Sequence, residues 1–387
     1  MGIAVNERVR TGLVLRADPK NGFVQVVGVG GIGSGMMIAL EGDQTLGRNE
    51  SRMGRALEAR DYCKLHIVEH SIAVLMGAEE TRNRFQVFAV GNVGADAAGG
   101  RLIEEMAAVG INMSHVRIDP ERTTLFSVAF QYPDKSGGNI TTSNSAASAL
   151  NEEQINESRS ELARAADKGI ALCLPEVPLA ARRDFLRVAT ECGSYRVASF
   201  SSGEMEAVRE CGLLAQVDLL ALNSEEAAAM AGQSGSVLTD EQLLEAVALA
   251  GQAAHAAMKI LVSAGAKGVF VFEAGRWSHH QALPTKVVST AGAGDALLAG
   301  TIAGLAAGLP LSDRQAAKHM NDDLEMNSAI DIGRTLAAFS VTSPHSIHPE
   351  ARLERLLAFV RERGMVESEL FKGRCSIVNE CEPFGQL

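Results

Sequence analysis

"VVSTAGAGDALLAGTIAGLAAGL", residues 287–309, decides how this chain is read. Ser289 to Gly294 is short, small and glycine-bearing, and from Asp295 onward the sequence is a long, uninterrupted, Ala/Leu-rich helix. A loop of this kind aims several backbone N–H groups and a helix N-terminus at one point, which makes an anion hole suited to phosphate. Asp295 then stands where a carboxylate would repel that ligand, unless it accepts a proton from a hydroxyl attacking the phosphate. The plainer alternative is an Asp favoured in the first helical turn by the dipole.

Around this stretch, apolar runs alternate with Ala-rich helical ones. The runs are "FVQVVGVG" (23–30), "FQVFAVG" (85–91), "GIALCLPE" (169–176), "VDLLAL" (217–222), "KILVSAG" (259–265) and "GVFVFEAG" (268–275). Such alternation predicts a mostly parallel sheet covered by helices. Helical spacing with closing glycines marks 96–110 and 224–232, and Thr239 with its following acids starts a helix over 239–258. Residues 36–62 and 121–143 break the rhythm with turn-formers and alternating polarity, which predicts a small β subdomain projecting from the main sheet.

"VVGVGGIGSG" (26–35) holds a G-x-G-x-x-G, the spacing that crowds amides onto a dinucleotide's pyrophosphate. That motif needs a helix directly behind it, and the residues here run Met-Met-Ile-Ala-Leu into Glu41-Gly42-Asp43, better read as a second strand. An NAD oxidoreductase is therefore set aside. A formal charge of −11 disfavours a nucleic-acid partner. No apolar run spans a bilayer and no basic n-region precedes an apolar segment at Met1–Arg16, so the expectation is a cytoplasmic protein without a membrane partner. The six cysteines are scattered without a C-x-x-C, so neither a zinc ribbon nor a disulfide framework is indicated.

The stretch Ser289-Thr290-Ala291-Gly292-Ala293-Gly294-Asp295 resembles the D-T-x-G-A-G-D signature of the PfkB-type, ribokinase-like sugar kinases. Gly91-Asn-Val93-Gly94-Ala-Asp96-Ala-Ala-Gly99 resembles that family's G-x-x-x-x-D-x-x-G segment, "VDLLALNSEEAAAMAG" its N-x-x-E stretch, and "ILVSAGAKGVFVFEAG" its nucleotide-side strand-turn-strand. The matches run in family order over roughly 22–365. The resemblance implies a three-layer α/β/α core with a mostly parallel central sheet and a small β-sheet lid, its strands drawn from about 33–50 and 121–143. Residues 1–21 and 366–387 then read as appendages.

What the resemblance implies chemically is ATP-dependent phosphoryl transfer to a hydroxyl of a sugar, nucleoside or related metabolite. Asp295 would be the base, with Gly292, Ala293 and Gly294 presenting amides to the phosphoryl group. Asn223 and Glu226 would organise Mg²⁺ through water; Ser263, Gly265, Gly268 and Thr290 would line the nucleotide. A homodimer through the lid strands is the expected assembly. The competing expectation is a catalytically silent ligand-binding or regulatory protein on the same scaffold.

The pattern fails on the acceptor side. The family's G-S-I-N-x-D becomes Gly30-Gly31-Ile32-Gly33-Ser34-Gly35, so Gly35 replaces the carboxylate that would bind sugar hydroxyls. Where a G-G-x-x-x-N run is expected stands "DYCKLHIVEHSIAVLMG" (61–77), which brings Cys63, Lys64 and His66 to the missing glycines. Gly33, Gly35, Lys64, His66 and Arg48 are the candidate substrate residues, and an anionic, nucleoside-like or non-sugar acceptor stays open. His66 and His70 have the i, i+4 spacing of metal ligands but no evident third ligand, so two histidines on a half-buried face is the plainer reading. Ser289 replaces the signature's first Asp, beside the monovalent-cation site of many relatives, which puts potassium activation in doubt. The charged segment 318–335 interrupts the helical region next to it.

Overall fold

Strand β2 (Gln25–Val29) is buried at every position, and Val26 and Val27 point into two different hydrophobic cores. Alternation across a pleat that is covered on both faces explains why the strand reads as a continuous apolar run. A computed structural model describes residues 9–79, 85–134, 136–233, 238–312 and 325–381. In chain order its strands are β1 (Val9–Leu15), β2, β3 (Gly33–Leu40), β4 (Gly54–Ala56), β5 (Asp61–Tyr62), β6 (Gln86–Gly94), β7 (Ile111–Asp119), β8 (Leu125–Gln131) and β9 (Gly137–Thr141). They continue as β10 (Gly169–Cys173), β11 (Tyr195–Ser199), β12 (Leu219–Asn223), β13 (Lys259–Ser263), β14 (Val269–Glu273), β15 (Arg276–His280), β16 (Glu325–Met326), β17 (Val366–Glu367) and β18 (Cys375–Cys381).

Nine of them make the central sheet, in the order β15-β14-β13-β12-β11-β10-β2-β6-β7. From β13 to β7 all pairings are parallel, and the β14–β15 hairpin closes one edge antiparallel. All six apolar runs of the sequence lie in this sheet. The remaining three strands carry too much polarity to stand out as runs: β7 and β15 are the edges, and Arg196 at the start of β11 is tied to Asp218 by an ion pair of 2.6 Å.

Helices α1 (Lys64–Met76), α2 (Ala97–Ala107), α9 (Ala293–Ala306), α10 (Ala329–Ser340), α11 (Leu353–Arg361) and α12 (Glu369–Lys372) contribute to the core on one face. The other face is covered by α3 (Glu152–Glu157), α4 (Arg159–Ala165), α5 (Leu179–Glu191), α6 (Met205–Glu210), α7 (Ser224–Met230) and α8 (Asp240–Ala254). Helix α8 opens as its sequence predicts, with Thr239 and Gln242 forming a capping box. The result is the three-layer α/β/α arrangement with a mostly parallel sheet.

The two irregular segments build a second sheet, ordered β4-β3-β8-β9, with β5 also paired to β3. The G-x-G-x-x-G region accordingly leads from β2 into β3 and not into a helix. Strand β1 pairs with β18 in an antiparallel ribbon, and Val14 and Leu15 are buried against the body. The stretches read as appendages therefore hold each other across the full length of the chain. A two-residue parallel pairing joins β16 to β17. Of the segment 318–335, residues 318–324 lie outside the described residues, and α10 begins at Ala329.

Candidate active site

The carboxyl ends of parallel strands gather the chemistry, as expected in an open α/β sheet. Glu176 follows β10, Asn223 ends β12 and Ser263 ends β13, while α9 brings Asp295 in its first turn. Gly292 caps that helix at φ +74°, and a Cβ there would lie 2.6 Å from the Ser346 carbonyl oxygen, so only glycine closes the turn. The Ala293 N–H is drawn into the turn, donating to Thr290 O at 3.2 Å. The amides of Gly294 and Asp295 remain as the helix's unpaired first-turn donors. Around Gly294 a Cβ would meet nothing within 4 Å, so those donors open onto free space.

Lys64, the first residue of α1, reaches this point with its Nζ 3.6 Å from Asp295 Oδ1. Its backbone N–H donates to Glu176 Oε2 at 3.0 Å. The carboxylates of Asp295, Glu226 and Glu176 hold the Lys64 ammonium above its ordinary range, outweighing its burial. Burial pushes the Glu176 carboxyl up to about 7, with Lys64 opposing. Glu176 also adopts φ +74°, a conformation costly for a residue with a side chain and one that marks functional sites.

Lys64 lines two adjoining cavities. One, of about 60 Å³, brings Asn223, Glu226, Ser263, Gly294 and Asp295 together. The other, of about 480 Å³, runs between the core and the lid past Glu176, Thr141, Ser145 and Ser201. Glu204 on its wall is paired to the buried Arg182.

The nucleotide-side residues also have structural duties. Asn223 caps α7 reciprocally with Glu226: each side chain accepts the other's backbone N–H at 2.8 Å. Burial raises the Glu226 carboxyl. Among the described residues no group of three or more His, Cys, Asp or Glu is placed to hold a metal ion. The donor set instead suits a Mg²⁺ that keeps its waters and binds phosphate oxygens, with one carboxylate nearby. Gly265 (φ +56°) and Gly268 (φ +99°) form the turn between β13 and β14, on the rim beyond Ser263. The buried Ser289 accepts from Ala291 N at 3.2 Å, shaping the loop from within.

On the acceptor side the candidates separate. Gly33 and Gly35 lie on β3, and Gly33 packs against Cys63, whose N–H donates to Gly33 O at 3.0 Å. Arg48 is exposed in the lid loop, and His66 is 1% exposed in a different cavity; neither lines the cleft at Asp295. Two carboxylates that the sequence reading did not single out lie nearby: Glu176 on the wall of the larger cavity, and Asp61 in a neighbouring cavity of about 250 Å³ with Ser34, Gly35, Arg60 and Arg101. Asp61 on β5 pairs with Gly35, which pairs on its other side with Ser127 on β8. Neighbours in a row share a face. Over Gly35 the Asp61 Oδ2 meets Ser127 Oγ at 3.3 Å, and a Cβ at Gly35 would collide with both, at 2.7 and 2.3 Å. Burial raises the Asp61 carboxyl, opposed by the Ser127 and Ser346 hydroxyls, and the charge of Asp295 adds to the rise. The second missed residue is Glu176, for which a signal existed: a carboxylate in Leu-Pro-Glu-Val-Pro, directly after a buried strand.

The family model described as "pfkB family carbohydrate kinase" matches residues 72–352. The chain belongs to this family of phosphotransferases, which act on a hydroxyl acceptor. Solved structures of the same fold include ribokinase from Giardia lamblia, at 14% identity and TM-score 0.68, covering 88% of this chain and 99% of that one. Ribokinase from Cryptococcus neoformans var. grubii serotype A in complex with ADP matches at 18% identity and TM-score 0.64, over 88% and 99% of the two chains. A nucleoside kinase from Burkholderia thailandensis in complex with inosine matches at 14% and 0.64, over 87% and 97%. The fold is thus ribokinase-like, and the expected α/β core with its small lid sheet is met. No helix among the described residues is long and apolar enough to cross a membrane.

Proposed function

We propose that the chain is an ATP-dependent kinase that phosphorylates a hydroxyl of a polyhydroxylated metabolite, a sugar or nucleoside. The observation that carries the reading is Asp295 in the first turn of α9, beside free amide donors and open space at Gly294. Asp295 takes the proton of the acceptor hydroxyl as its oxygen attacks the γ-phosphorus. The bond to the β–γ bridging oxygen breaks, and ADP leaves with that electron pair. The amides of Gly294 and Asp295, the dipole of α9 and the Lys64 ammonium lie where negative charge gathers on the phosphoryl group in transit. Ser263, Gly265 and Gly268 would line the nucleotide, and Asn223 and Glu226 would hold Mg²⁺ through its waters; Mg²⁺ bound there would supply charge neutralisation on the phosphates.

Asp61 takes the acceptor role that Gly35 lacks. A buried carboxylate flanked by the Ser127 and Ser346 hydroxyls, with no ion pair among the described residues, suits a vicinal diol better than an anion. Lys64 is matched by Asp295, Glu226 and Glu176, and Arg60 and Arg101, which line the pocket of Asp61, are directed to Glu105, so the cations named here already face carboxylates. A homodimer through the lid accords with the exposed apolar side chains of Met36, Phe126 and Ile140 on its strands. The ion pair that occupies Asp295 is also what favours the silent-scaffold alternative.

The deciding experiment measures ADP release with ATP and Mg²⁺ across a panel of sugars, polyols and nucleosides. The wild type is expected to turn over at least one acceptor, and Asp295→Asn to bind nucleotide while losing about 10²- to 10⁴-fold in kcat. Nucleotide binding without turnover of any acceptor would establish the silent scaffold instead.

A further inference from the structure

Between α1, the end of α2 and residues 345–352 lies a cavity of about 680 Å³, larger than the acceptor cleft and lined by none of Lys64, Glu176 or Asp295. Its volume is that of a small-molecule site. The polar groups left open on its walls are imidazole nitrogens and one carboxylate oxygen, the buried Oε2 of Glu105. His345 Nδ1 accepts the Arg60 N–H at 2.9 Å, and His348 Nδ1 accepts the Glu350 N–H at 3.0 Å. A neutral imidazole whose Nδ1 accepts carries its proton on Nε2, so both rings offer an N–H. His66 is 1% exposed, yet its Nδ1 has no hydrogen-bond partner, and neither has the buried Nδ1 of His70. Buried polar atoms left unpaired in this way call for a partner that the protein itself does not supply.

Among the described lining residues the one carboxylate is Glu105, whose Oε1 faces Arg101 at 3.8 Å and Arg60 at 4.0 Å while its buried Oε2 has no hydrogen-bond partner. Burial keeps the His66 and His70 rings neutral near pH 7, so Arg60, whose side chain is 74% exposed, supplies positive charge at this end.

The cavity is graded along α1. His66 and His70 lie toward its start, while Val74, eight residues beyond His66 and about 12 Å further by helical rise, lines the cavity together with Ala108 and Val109, just past the end of α2. One end therefore offers N–H donors and a guanidinium, the other an apolar wall.

We propose that this cavity binds a small organic acid, its oxyanion head against Arg60 and the histidines and its short apolar tail toward Val74 and Val109. The cavity holds none of Lys64, Glu176 and Asp295 but shares Arg60, Tyr62 and Glu105 with the pocket that Asp61 lines, so binding is read without nucleotide or turnover and its failure leaves the kinase reading untouched.

Calorimetric titration of the full chain, without nucleotide, tests it with octanoate and octyl phosphate as probes and with octanol and acetate as controls. At least one charged probe is expected to bind with a Kd of about 1 mM or tighter. Octanol and acetate should bind at least about tenfold more weakly, since each supplies only half of the match. Which charged probe binds more tightly separates a carboxylate from a phosphate head. His348→Phe should weaken binding by removing a donor, and Val109→Trp by filling the apolar end, each by about tenfold at an unchanged Tm. If one variant fails to fold, the other still decides. Octanol binding as tightly as octanoate would reduce the cavity to an apolar hole and overturn the proposal. Failure of both charged probes, or affinities untouched by the variants, would overturn it as well.

Discussion

The two ends of the cleft are built by different means. At the proposed phosphate end, Gly294 and Asp295 keep unpaired backbone amides, and the geometry comes from one contiguous turn: φ +74° at Gly292, the close approach of Ser346, and the start of α9. At the acceptor end, side chains from β5, α1, β8 and the turn after β10 converge on Lys64 and Asp61. A backbone device is written into a few neighbouring residues and tolerates little substitution. A side-chain device can move a functional group from one strand to the next, provided that the tip arrives at the same place.

Asp61→Asn is the strongest test of that contrast. The variant keeps the hydrogen bond to Ser127 within reach and removes the charge that grips hydroxyls. Its kcat/KM for the acceptor should fall by about 10- to 100-fold, from losing a charge-assisted hydrogen bond of about 1.5–3 kcal/mol. The nucleotide KM should stay unchanged. A variant with wild-type acceptor kinetics would break the comparison, leaving the acceptor end without the carboxylate assigned to it.

Glu176→Gln sharpens it through pH. The Glu176 carboxyl is raised to about 7, so between its unfolded value near 4.5 and that point the folded protein holds a proton that the unfolded chain has lost. Stability therefore falls as pH rises through this window, with a slope that approaches but does not exceed about 1.4 kcal/mol per pH unit. The Gln variant should flatten that part of a urea-denaturation series measured from pH 4.5 to 8. An unchanged slope would mean that Lys64 keeps Glu176 ionised throughout, and that the acceptor end is an ion-pair network more than a pair of titrating groups.

The fold and the turn at Gly292 were legible because their signals are local. Six apolar runs gave six strands of the central sheet, and small residues before an Ala/Leu helix gave the turn at Gly292. The acceptor end was half legible. Gly35 marks a place without a side chain, and the carboxylate that lies over it comes from Asp61, twenty-six residues away, with only the pairing of β3 with β5 to join them. His66 misled for the same reason. Its position two residues after Lys64 puts it near the cleft in sequence, but helical rotation turns it into the other cavity. Pairing and helix facing are long-range facts that no short motif carries.

The smallest effect is expected at Glu69, which lies on the same helix as Lys64 and so sets a carboxyl in the core against the carboxyls in the cleft. Glu69 is 0% exposed, neither of its oxygens has a partner within normal hydrogen-bond geometry, and its Oε1 rests where a Cβ on Gly28 would be, 2.2 Å away. Burial holds its carboxyl well above the usual carboxylate range, so it is carried in the core as the neutral acid. Nothing in the cleft uses it. An apolar side chain of similar length removes an unpaired polar group without emptying the space, so Glu69→Met should stabilise the protein by about 1–3 kcal/mol and raise Tm by a few degrees. Because the raised carboxyl makes stability decline as pH climbs above about 4.5, the gain should widen toward alkaline pH. Catalytic constants should not move. A loss of activity at unchanged nucleotide affinity would instead tie Glu69 to the placement of Lys64, and the line drawn here between carboxyls that serve the cleft and carboxyls that merely fill the core would have to be redrawn along α1.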